Sequence, residues 1–257
     1  MAPNGTWASN GGPSNRRWST SAAGTASTAV WTSGRDAVFS AGTSATGSYT
    51  ITVNGTQNVS SITVEDGTPS FTGGTLNFSD ASPDLIVNSG RTLNWGTTGL
   101  TSSTGSLNFS GGGILNFTQN STFAGTVNIS GGTLRLTTSA LTLGTLNITG
   151  NTIIDFAGTA STLSLTNLSI SAGVTVTINN WQDAADFLYA SNWAGATYNT
   201  TGSDPMNQVV FTGATLGTGW QSLDNQVRPI PEPSTYGALL LAAMAGLMGW
   251  RRWRARS

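Results

Sequence analysis

The chain has 257 residues, a formal net charge of −1 and only 8% charged residues, and lysine is absent. A broad nucleic-acid footprint needs clustered Lys and Arg, so DNA and RNA are excluded as partners. Cys 0 and His 0 remove disulfides, thiolate nucleophiles, the commonest general base and the usual zinc ligands, so no metal, no cofactor and no enzymatic activity is expected.

Residues 1–48 read as an N-terminal cap region in which Trp7, Trp18 and Trp31 cover one end of the domain that follows. Its first residues, Met1 to Thr6, carry neither a basic n-region nor an apolar h-region. Either the true start lies upstream or a signal peptide has been removed.

Residues 49–180 repeat a theme of glycine, a small polar residue, then alternating apolar and polar residues, as in Gly73-Gly74-Thr75-Leu76-Asn77-Phe78, Gly112-Gly113-Ile114-Leu115-Asn116-Phe117 and Gly131-Gly132-Thr133-Leu134-Arg135-Leu136. Period-two alternation bounded by Gly, Ser or Asn marks short strands with one buried face. Equivalent positions return roughly every 19 or 20 residues, as from Leu115 to Leu134 and from Val127 to Leu146. One such coil cannot bury its apolar row, but stacked coils can. The expected fold is therefore all-β, a parallel β-solenoid (β-helix) of about six coils and on the order of 30 Å. Inward Leu, Phe and Ile should form internal ladders, and the intervening Asn outward ones. The alternative is an antiparallel β-sandwich, whose strand spacing is similar.

Residues 181–224 are expected to cap the other end, with a short helix over Ala184–Tyr189 and a final strand over Asn207–Phe211. Flat rings stack on sugars, which makes Trp95, Trp181, Trp193 and Trp220 candidate glycan contacts; covering the solenoid ends is their other use. A flat array of outward threonines such as Thr175 and Thr177 would instead suit ice.

Some β-helices cleave polysaccharides, and glycosidases need two carboxylates across a groove. The available pairs are Asp80 with Asp84, Glu65 with Asp66, and Asp183 with Asp186. The first two lie in turn sequences and the third suits a local cap. No catalytic role is assigned to any of them. Arg135 and Asp155 are expected to pair across adjacent coils at the surface, worth about 0–1 kcal/mol.

Residues 225–235 read as a Pro-rich linker, 236–250 as a short transmembrane helix and 251–257 as a basic cytoplasmic tail. The apolar run lacks charge and spans about 21 Å. That is shorter than a ~30 Å hydrocarbon core. Pro231, Glu232 and Pro233, the short apolar run, and the cluster Arg251, Arg252, Arg254 and Arg256 together resemble the PEP-CTERM sorting signal of Gram-negative bacteria. The resemblance implies export, retention in membrane lipid by the short helix with the arginines stopping transfer, and processing near Pro231-Glu232-Pro233 by an exosortase. It also implies a link to exopolysaccharide. The Gly-Gly-Thr-Leu elements, with Trp31 to Ser40, resemble autotransporter-associated β-strand repeats, which build stalks. The chain has no room for an outer-membrane barrel after its solenoid, so attachment falls to the tail. The combined expectation is a cell-surface or extracellular-matrix structural protein, anchored outside the cytoplasmic membrane or released. The alternative is a glycan-binding or ice-binding module.

Overall fold

A computed structural model describes residues 4–9, 17–21, 25–39, 47–102, 105–137, 139–195, 206–214, 217–221, 223–230 and 243–245. Among them, 18 strands form one continuous sheet. In chain order these begin with β1 (Gly5–Trp7), β2 (Arg35–Phe39), β3 (Ser48–Val64), β4 (Thr68–Phe78), β5 (Asp84–Val87) and β6 (Thr92–Ser102). Next come β7 (Ser106–Ser110), β8 (Ile114–Phe117), β9 (Ser121–Ile129), β10 (Gly132–Leu136), β11 (Ala140–Ile148) and β12 (Thr152–Phe156). The last are β13 (Thr162–Ile170), β14 (Val176–Asn179), β15 (Phe187–Gly195), β16 (Val209–Phe211), β17 (Thr218–Gln221) and β18 (Gln226–Pro229).

From β7 to β14 each strand pairs in parallel with the strand two further along. β8, β10, β12, β14 and β16 make one stack, and β7, β9, β11, β13 and β15 another. Parallel pairing between consecutive coils is the signature of a β-solenoid, here of about 7 turns. It rules out the antiparallel sandwich, which would join sequential strands by hairpins.

Register turns the sequence alternation into continuous apolar columns. Leu93, Leu115, Leu134, Ile154, Ile178 and Phe211 are successive partners along one column. Leu85, Phe109, Ile129, Ile148 and Ile170 form a second. All of these side chains are buried. Complete burial of each stabilises the fold by about 1.5–3 kcal/mol, so coil stacking rather than surface charge holds the rod together.

Between the apolar columns, outward Asn residues bond from coil to coil. Asn147 Nδ2 donates to Asn128 Oδ1 at 3.1 Å, and Asn128 Nδ2 donates to Asn108 Oδ1 at 2.9 Å. A second pair runs from Asn116 Nδ2 to Asn94 Oδ1 at 2.8 Å. Glycine is required where the coil turns a corner inside a strand. At Gly144 a Cβ would run into the Ala124 carbonyl oxygen, and the register between β9 and β11 shifts there.

The solenoid is longer than the periodicity indicates. At the N-terminal end, β1 and β2 pair in parallel with β3, so residues expected to form only a cap also begin the first coil. Trp7, Trp18 and Trp31 cluster there with ring centroids 4.5–5.0 Å apart, and Trp7 also meets Phe39 and Phe71. At the other end, β15 and β16 extend the parallel stacks past residue 180. The helix expected over Ala184–Tyr189 is instead a turn leading into β15, because Phe187, Leu188, Tyr189 and Ala190 alternate outward and inward. The linker expected from residue 225 begins as β18, which pairs antiparallel with β17 and with β15. That strand covers part of the last coil's open edge, where exposed amides would otherwise recruit another chain.

Candidate functional site

The four tryptophans proposed as glycan contacts do not form an exposed platform. Trp95, Trp193 and Trp220 are 0%, 5% and 7% exposed, each facing the core from its strand. Trp220 also donates its Nε1–H to the Ala190 carbonyl at 2.8 Å, tying the C-terminal hairpin to the last coil. Trp181 is half-buried, lies edge-on between Phe156 and Phe211, and donates to Asp183 Oδ1 at 2.7 Å. Indole is large and mostly apolar, so burying it in the core gains more than exposing it.

Five of the six candidate carboxylates, those of Asp66, Asp80, Asp84, Asp183 and Asp186, hold structural partners. Asp80 accepts the Ser82 amide at 3.0 Å, and Asp84 accepts Asn108 Nδ2 at 3.1 Å. Asp66 pairs with Arg91 at 2.9 Å. Asp186 is fully buried and accepts the backbone amides of Ser161 and Gln182 at 2.9 and 2.8 Å. It fixes the turn that delivers the chain into β15. Among the described residues there is no cluster of metal-ligating side chains.

Arg135 and Asp155 are register partners on β10 and β12, and Arg135 Nε donates to Asp155 Oδ2 at 2.7 Å. The pair forms as expected, but its carboxylate is not a surface group. The Asp155 side chain is 7% exposed and also accepts Asn180 Nδ2 at 2.7 Å.

Along the same side, the outward column runs Thr92, Ile114, Thr133, Ile153, Thr177 and Val210. Threonine alternates with aliphatic residues, so matched Thr rows of the kind that would suit ice do not form in this column. Thr175 precedes β14, and its amide donates to Asn151 Oδ1 at 2.9 Å.

A different aromatic group does reach the surface. Phe187 and Tyr189, two apart on β15, are half-buried on its outward side with rings 3° from parallel and centroids 5.8 Å apart. Beside Tyr189 is a shallow groove lined by Thr142, Ser164, Ser191, Asp224 and Asn225, among others. The alternation from Phe187 to Ala190 carries the signal for this pair, which a helical reading of the segment hides.

The fold class is thus a β-solenoid closed by a hairpin, and the tail supplies the remaining identification. A family model described as the PEP-CTERM protein-sorting motif matches residues 229–256. The motif points to export and exosortase-dependent sorting, and to a membrane-associated place in the cell envelope. No curated protein and no solved structure matches the chain.

The matched segment starts on Pro229, the last residue of β18, and Ile230 donates its amide to the Gly217 carbonyl at 3.0 Å. Sorting motif and solenoid are therefore contiguous. Pro231, Glu232, Pro233 and the arginines at 251, 252, 254 and 256 lie outside the described residues, as does most of the apolar run. Residues 243–245 are helical, but no described helix is long and apolar enough to cross a membrane. The transmembrane helix expected at 236–250 therefore falls mostly outside the described residues, and nothing among those described supports it.

Proposed function

We propose that this chain is a non-enzymatic structural rod of the cell envelope. Its tail holds it at the membrane until an exosortase processes it near Pro231-Glu232-Pro233, after which it contributes to an exopolysaccharide matrix. The observation that carries this reading is the continuity at Pro229. A sorting motif begins at the residue where the last capping strand of the solenoid ends, so cleavage just beyond would release a capped domain with its core intact.

The rod's chemistry is consistent with that use. Its outward amides bond to one another, several of its carboxylates serve turns and ion pairs, and its low charge leaves little electrostatic dependence on salt. The test is to fractionate the native host with and without its exosortase. The chain should move from the matrix or surface fraction to the membrane fraction when the enzyme is deleted. An unchanged distribution would remove exosortase from the account.

A further inference from the structure

We infer that the outward shelf around Tyr189 is a binding site for an uncharged, polyhydroxylated glycan chain. The register places Thr162 and Ser164 beside Phe187 and Tyr189 on the preceding coil, and Ala140 and Thr142 one coil further back. Side-chain size therefore falls from aromatic ring to hydroxyl or methyl along the rod. The last coil stands above its neighbours and leaves a concave strip. The turn before β18 raises a second wall. The Ala190 amide donates to the Asn225 carbonyl at 2.8 Å, which fixes Asp224 and Asn225 next to Tyr189.

The groove chemistry selects the occupant. Hydroxyls of Thr142, Ser164 and Ser191 donate and accept, while the half-exposed Asp224 carboxylate accepts only, its Oδ1 already taking the Gln226 amide at 3.0 Å and its Oδ2 keeping lone pairs for a further donor. Tyr189 adds an aromatic surface with a polar tip. A sugar ring presents the matching combination, C–H groups on its face and hydroxyls around its edge. A phosphorylated or uronate chain would need a cluster of cations. The neighbouring cation is Arg228, whose Nη1 donates to Gln226 Oε1 at 3.1 Å and lies 3.8 Å from Asp224. A protein partner would need roughly 20–30 residues of complementary surface, against the eight that line this groove.

This inference rests on the envelope reading only for where the protein would meet a glycan; the binding itself is a property of the isolated chain. The test is affinity electrophoresis of the full chain through gels containing dextran, mannan or hydroxyethylcellulose, with alginate as the charged comparison. At least one neutral polymer should retard the wild type. Tyr189→Ala and Asp224→Ala should each weaken that retardation about tenfold, while Tyr189→Phe, which keeps the ring, and Val210→Ser, on another side of the rod, should leave it within about twofold. No retardation by any neutral polymer, retardation by alginate alone, or unchanged retardation of both alanine variants would overturn the proposal. Failure of the host fractionation would instead sink the envelope reading and leave this site standing.

Discussion

Asn128 Nδ2 donates to Asn108 Oδ1 at 2.9 Å, and the two residues are register partners on successive coils. Asn128 in turn accepts from Asn147 at 3.1 Å, so one half-buried side chain closes two bonds between three coils. Asn128→Ala breaks both and leaves an acceptor and a donor without their partners. The expected loss is about 1–2 kcal/mol, read as a lower midpoint in urea with unchanged slope.

Gly144 is a corner residue whose missing Cβ makes room for the Ala124 carbonyl. Gly144→Ala should cost about 1–3 kcal/mol, because backbone on the preceding coil must move. Gly47 has open space around it, and Gly47→Ala should stay within about 0.5 kcal/mol. Equal thermal midpoints for the two variants would contradict the corner argument.

The buried side chain of Asp155 changes what its ion pair is worth. Arg135→Ala strips the cation from a buried carboxylate whose other described partner is Asn180, and the partly exposed arginine limits the effect. We expect a loss of about 2 kcal/mol, above that of a surface pair. A double-mutant cycle with Asp155→Asn measures the coupling directly.

The Tyr49 phenol is pushed up to about 12 from 10.0, first by burial and then by the negative charge of Asp66. The folded pKa is the higher one, so the folded state binds this proton more tightly. Its contribution is complete below pH 10 and is lost as pH rises through about 12. Tyr49→Phe should therefore lessen the fall in stability over that window, measured by urea unfolding at stepped pH. An identical fall in wild type and variant would contradict the assignment.

Much of the middle of the solenoid is legible in the sequence because its coils are short and regular. Asn128 and Asn147, 19 residues apart, show the spacing on which the periodic reading rests. The last coils escape it because their turns lengthen: Asn179 accepts from Thr212, 33 residues on, at 2.6 Å. No fixed period survives that growth, and β15 is then easily mistaken for a helix. Tryptophan misleads for another reason, since composition cannot say whether an indole faces in or out. Trp95 belongs to the inward column that joins Phe71 to Phe117, while Phe187 and Tyr189 lie on the outward side of β15. The tail was readable as a motif, because an ordered Pro-Glu-Pro, apolar run and arginine cluster needs no tertiary context.

The central claim is that a capped rod is sorted and then cut from its tail. Intact mass of the mature protein from its native host, taken separately from membrane and culture medium, tests it most directly. The account predicts a matrix or medium species ending near Pro231-Glu232-Pro233. A full-length species retaining Arg251 to Ser257 in every fraction would contradict it.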